Sequence, residues 1–137
     1  MPELDYMVLA DYVRTDNGNL HIMGAGIDTI IAAKLPAARN VGIALRLTFD
    51  STERPGIDHR IELIFQSSDQ VLAKVRGELK TPPKPDDVPV HWKTGVVTAL
   101  QIGLPLPQYG DYSIELTLDD KHLKSIDLRV VPPVTGS

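Results

Sequence analysis

Val41-Gly42-Ile43-Ala44-Leu45-Arg46-Leu47-Thr48-Phe49-Asp50 is the stretch whose reading decides the fold class. Its odd positions are all large and apolar; its even positions are glycine, alanine, arginine, threonine and aspartate. Successive side chains of an extended strand point to opposite faces, so a period of two marks a strand with one buried face, which a helical repeat would not produce. The same period recurs on both sides of it. Ile61, Leu63 and Phe65 oppose Arg60, Glu62 and Gln66, with Ile64 alone breaking the rule, and Val71, Ala73, Val75 and Leu79 oppose Leu72, Lys74, Arg76, Glu78 and Lys80. Ser67-Ser68-Asp69-Gln70 is polar enough to close these two into a hairpin.

Toward the C-terminus, Tyr112, Ile114, Leu116 and Leu118 alternate with polar residues, Asp120-Lys121-His122 turns the chain, and Ile126, Leu128 and Val130 alternate again. Pro132-Pro133 ends that ladder, because neither ring nitrogen donates a hydrogen bond. Trp92, Thr94, Val96, Thr98, Leu100 and Ile102 share one parity, so residues 91–103 read as a longer strand. Toward the N-terminus, Leu4, Tyr6, Val8, Ala10 and Tyr12 alternate with Asp5, Met7, Leu9, Asp11 and Val13, which predicts a strand covered on both faces. Asp16-Asn17-Gly18-Asn19 is a hairpin turn, with Gly18 supplying the positive φ, and residues 20–23 return along the first strand. Gly24 and Gly26 interrupt the alternation and predict a bend, after which residues 30–39 hold the one stretch with room for a helical turn.

The count is about eight strands without any crossover helix. The expected fold is therefore all-β, a mostly antiparallel two-sheet β-sandwich, immunoglobulin-like or a related Greek key, with a partly closed barrel as the alternative. Two long connections, residues 51–58 and 81–90, stand out. The second carries Pro82, Pro83, Pro85 and Pro89, stiff enough to take the chain from one sheet to the other or to shield an edge. Residues 1–131 read as a single domain and residues 132–137 as a mobile tail.

Composition narrows the functional classes. Fourteen Lys and Arg against 18 Asp and Glu leave a net charge of −4 over 137 residues, which argues against binding to bulk nucleic acid or anionic membrane. No cysteine is present, so disulfides, thiolate metal sites and cysteine nucleophiles are excluded. Residues 1–5 have neither the charge nor the apolar run of a secretory signal, and the expected location is the cytoplasm.

Leu9-Ala10-Asp11-Tyr12-Val13, the Asp16-Asn17-Gly18-Asn19-Leu20 turn, Gly24-Ala25-Gly26 and the later Pro107-Gln108-Tyr109-Gly110-Asp111-Tyr112 run together resemble a family of small bacterial proteins of unknown function. The resemblance spans most of the chain except residues 51–90. It implies a stand-alone β-sandwich and brings no activity, cofactor or catalytic residue. Gly110-Asp111-Tyr112 is also similar to a step in immunoglobulin-like sandwiches, which implies that Tyr112 bonds back to the preceding connection as a fold-stabilising device.

Candidate chemistry is sparse. Gly24-Ala25-Gly26-Ile27-Asp28-Thr29 lacks the third glycine and the helix of a dinucleotide site, so Gly24 and Gly26 read as structural, as do Gly18 and Gly110. His21, His59, His91 and His122 show no ligand spacing and are expected to face solvent; neither a metal nor a cofactor is expected. No Gly-x-Ser-x-Gly elbow occurs, and an enzyme is disfavoured. Strand parity directs Trp92 toward the core; the other reading makes Trp92, Tyr109, Pro83 and Pro85 an exposed binding patch. The functional expectation is a non-catalytic interaction module that docks on a protein partner or on a second copy of itself, motivated by the two-sided first strand and by Ile22, Ile27, Ile30 and Ile31. The alternative is a small-molecule or carbohydrate binder using end loops around Trp92 and Tyr109.

Overall fold

The computed structural model describes residues 2–84 and 86–134. Ten strands follow one another: β1 (Glu3–Ala10), β2 (Tyr12–Asp16), β3 (Asn19–Met23), β4 (Thr29–Ile31), β5 (Ala37–Phe49), β6 (Asp58–Ser67), β7 (Val71–Lys80), β8 (Thr94–Leu106), β9 (Gly110–Leu118) and β10 (Lys121–Val131). They form a three-stranded sheet in the order β1-β5-β8, a five-stranded sheet in the order β4-β10-β9-β6-β7, and a separate β2-β3 pair. The all-β, mostly antiparallel expectation holds; the expected eight strands in two sheets become ten in three, and the β4–β10 pair is parallel.

The alternation does its work where the two larger sheets face each other. Val41, Ile43, Leu45, Leu47 and Phe49 of β5, with Met7 and Leu9 of β1 and Leu104 and Leu106 of β8, meet Ile61, Leu63 and Phe65 of β6, Ile114, Leu116 and Leu118 of β9, and Leu128 and Val130 of β10. Burying each such side chain contributes roughly 1.5–3 kcal/mol, which is why the period of two is kept so strictly on these strands. Both long connections, 50–57 and 81–93, cross from one sheet to the other, since β5 and β8 belong to the three-stranded sheet and β6 and β7 to the five-stranded one. Phe49 at the end of β5 meets His59 at the start of β6, ring centroids 5.6 Å apart, so these crossings lie at one end of the molecule.

The third layer comes from the N-terminal segment. The strand expected over residues 4–13 breaks at Asp11: β1 stays beside β5, whereas β2 turns with β3 into a hairpin laid on the outer face of β5 and β8. Small residues make this possible. Val13 packs on Ala10 and Ala44, and a Cβ on Gly42 would lie only 2.8 Å from a Val13 methyl. Gln101 of β8 pins the hairpin, its Oε1 accepting the Val13 N–H at 3.2 Å and its Nε2 donating to the Asp11 carbonyl at 2.9 Å. Gly42 and Ala44, on the face opposite the main core, are therefore buried as well. Ile30 enters the core and Ile27 packs against it, while Ile22 and Ile31 remain exposed. The chain's own hairpin thus covers part of the surplus apolar surface that suggested docking.

Other departures are local. No helical turn forms in residues 30–39, where β5 already begins at Ala37. A register shift between Phe65 and Gln66 pairs Gln66 with Val71, leaving Val71 exposed rather than inward. The last hairpin turns at Asp119-Asp120, with φ of 49° and 67°, so Lys121 and His122 are already in β10. At the other tight hairpin Asn17 and Gly18 take φ of 51° and 77°, as the Asn-Gly signal requires. Of the tail, Pro132 to Val134 are exposed; residues 135–137 lie outside the described residues.

Candidate functional site

β8 runs the length of the molecule, and its 13 residues span roughly 40 Å at the rise of an extended strand. Trp92 precedes it and Tyr109 follows it, so the structure places the two aromatics of the expected patch at opposite ends. Trp92 is 58% exposed, not core. The parity argument fails because the strand starts only at Thr94; before it, the Trp92 N–H donates to the Pro89 carbonyl at 3.0 Å and turns the chain. Pro83 is exposed at the same end as Trp92, and Pro85 lies outside the described residues.

At the opposite end Tyr109, Tyr112, Gly24 and Gly26 make contacts within the chain. The Tyr109 hydroxyl donates to the Ala32 carbonyl at 2.9 Å. Tyr112 is 3% exposed, stacks on Phe65 with centroids 5.3 Å apart, donates to the Gln108 carbonyl and accepts the Gln108 N–H. Tyr112→Phe keeps the stack and removes both bonds, so the urea midpoint should fall by the equivalent of about 1 kcal/mol with an unchanged m-value; an unchanged midpoint would refute the role. Gly24 (φ 68°) lies so close to Asp11 that a Cβ would collide with its carboxylate, and the Gly26 N–H donates to Leu9 at 2.9 Å. Gly110, with φ of 132°, opens β9. The Ala-Asp step and the Gly-x-Gly segment, far apart in sequence, thus meet where the chain climbs from β1 onto the hairpin. An exposed Asp11–Arg39 ion pair closes the junction.

Two polar clusters resemble catalytic sets. His59 is buried rather than solvent-facing, with Nδ1 2.8 Å from Asp119 Oδ2 and Nε2 2.9 Å from Thr81 Oγ1. Arg60 N–H donates to the other Asp119 oxygen, and this bond, with that from His59, holds the Asp119 carboxyl below its ordinary range. Carboxylate, imidazole and hydroxyl stand in triad order, with the Thr81 hydroxyl in a residue only 4% exposed. What the set does is tie the start of the 81–93 loop to β6 and the β9–β10 turn. Sequence reading missed it, although His59 has the inward parity of Ile61, Leu63 and Phe65. On the outer face, His122 Nε2 approaches both Glu115 Oε2 and Ser125 Oγ, and Ser125 itself donates to Glu115. A general base would present a different nitrogen to each partner, so this is a hydrogen-bond cluster centred on Glu115, whose carboxyl is lowered chiefly by the Ser125 hydroxyl. His21 and His91 are exposed. Among the described residues no three of His, Asp or Glu converge as metal ligands.

The feature of β8 itself is its free edge. The strand pairs with β5 over all 13 residues without a register shift, and no charged side chain lies between Lys93 and Asp111. Its other side has no hydrogen-bonded strand among the described residues. Where β8 nears β7, a cleft of about 160 Å³ opens between the sheets, lined by Val75, Gly77, Leu79, Thr98 and Leu100. No curated protein matches the chain. The motif-bearing segments that meet at the β1–hairpin junction all lie inside one family match, covering residues 5–131, and the chain belongs to that family of unknown function, DUF6941.

Proposed function

We propose that this chain is a non-catalytic cytosolic interaction module that binds another polypeptide through a sheet edge. The observation that carries the reading is the β8 edge: long, regular and uncharged, a ready template for an added strand. Main-chain amides supply the affinity in that mode, and the neighbouring apolar cleft receives a side chain of the added strand. Gly103 offers the test. A Cβ there meets nothing within 4 Å, so Gly103→Lys places a charge beside the edge without disturbing the fold. Tagged full-length chain, lightly crosslinked in cell extract and analysed by mass spectrometry, should retain a stoichiometric polypeptide, either a different protein or the chain itself, that Gly103→Lys loses. Recovery of nothing, or equal recovery by the variant, would overturn the proposal.

A further inference from the structure

Sheet edges in natural proteins are guarded by charge, proline, bulges or brevity, and among the described residues β8 is the least guarded of the large edges. β1 carries Glu3 and Asp5 and a register shift between Leu4 and Tyr6. β7 carries Lys74, Arg76, Glu78 and Lys80 and faces a register shift at its start. β4 has three residues, and the part of β10 that it does not cover bears Lys121, Lys124 and Asp127 with its own shift. β2 and β3 are five residues each. Among the described strands β8 alone combines 13 residues with no charge and no shift, its one guard being Pro105 near the end of the strand, whose ring nitrogen donates no hydrogen bond.

We infer that β8 pairs antiparallel with β8 of a second copy about a two-fold axis near Leu100, giving a closed dimer. The inference rests on the interaction reading and names its partner. Three observations favour a second copy over a foreign strand. First, an uncharged strand is complementary to itself, because antiparallel pairing brings no like charges opposite one another, as pairing of β7 with itself would. Second, the joined sheet runs β1-β5-β8 into the partner's β8-β5-β1 and ends on both sides in the charged, shifted β1, so growth stops at two copies and the assembly closes. Third, the cleft beside β8 is open for want of a side chain at Gly77, whose Cβ would meet nothing, and the two-fold brings each copy's Leu100 region to the other's cleft. The β2–β3 hairpin lies on the outer face, and among the described residues no strand is hydrogen-bonded to that edge.

The test is sedimentation velocity of the purified full chain across a wide concentration range, together with amide hydrogen exchange at the two ends of that range. The expected result is a monomer–dimer equilibrium in which residues 94–106 gain protection with concentration while β1 and β7 do not. A two-fold near Leu100 places residue 97 opposite residue 103 of the partner, so V97K/G103K sets lysine against lysine twice and should raise the dissociation constant at least tenfold. Should that double variant fail to fold, Gly103→Lys alone, at a site with open space, should weaken the dimer in the same direction. A wild-type chain that is monomeric throughout, or a dimer unaffected by Gly103→Lys and protected elsewhere, overturns the self-pairing. The broader reading fails separately, when the crosslinked chain retains no polypeptide that the edge variant loses.

Discussion

Replacing His59 by alanine should lower the free energy of unfolding by about 3 kcal/mol, from an orphaned buried hydroxyl and a partly collapsed cavity. The ring fills space against Phe49, and its loss leaves Thr81 Oγ1, 2.9 Å from His59 Nε2, without another hydrogen-bond partner among the described residues in a buried site. Asp119 keeps the Arg60 N–H, so the cost falls on Thr81 and the packing rather than on the carboxylate. Urea titration of the purified chain decides the matter; a loss below about 1 kcal/mol would make the set an ordinary surface contact. Asp119→Asn separates the charge from the packing. The Asp119 carboxyl is held below its ordinary value of 3.8, first by the Arg60 N–H and then by His59. A lowered folded pKa means that the unfolded state binds the proton more readily, so this contribution is fully present above that ordinary value and is lost as pH falls through the lower folded value. The part of the stability gap between wild type and Asp119→Asn that comes from this carboxylate should accordingly close in acid.

That set also shows where residue patterns stop being informative. Alternation reports burial one face at a time, and it placed β5, β6 and β9 correctly because their inward residues are large and their outward ones mostly polar. It was silent about the layer over Gly42 and Ala44, since small residues fit equally well under solvent and under another strand. The parity of His59 did point inward, but a polar residue at a strand end reads as surface until Asp119 and Thr81, distant in sequence, are seen to meet it. Trp92 failed for the opposite reason: parity was extended past the start of β8 into a turn. The two-sided N-terminal strand suggests a docking surface, and the hairpin covers part of it. The β8 edge is present in the sequence as the uncharged run between Lys93 and Asp111. Its meaning depended on knowing that β8 has a neighbour on one side alone, which is a property of pairing and not of the segment.

Gly42→Val should detach the β2–β3 hairpin from the sheet and cost about 2–3 kcal/mol, the range for overfilling a packed site. A Cβ at residue 42 lies 2.8 Å from one Val13 methyl, 2.9 Å from the other and 2.9 Å from Gln101 Oε1, so even alanine forces a shift and valine adds two methyls in the same space. The contacts that must give are those that hold the hairpin down: Val13 against Ala10 and Ala44, and Gln101 on the Val13 N–H and Asp11 carbonyl. A two-stranded hairpin is marginal by itself, so once lifted it should exchange its amides at nearly free-chain rates over residues 12–23, while β9 keeps most of its protection. Val13→Ala in the same chain makes room and should recover part of the stability. Protection of residues 12–23 unchanged from wild type would show that the layer does not depend on Gly42. The variant also bears on assembly, because the hairpin covers the outer face of β8 and not its edge. If β8 pairs with a second copy through main-chain bonds, Gly42→Val should still dimerise at concentrations where it remains folded; a dimer that vanished with the hairpin would place the contact on the outer face instead.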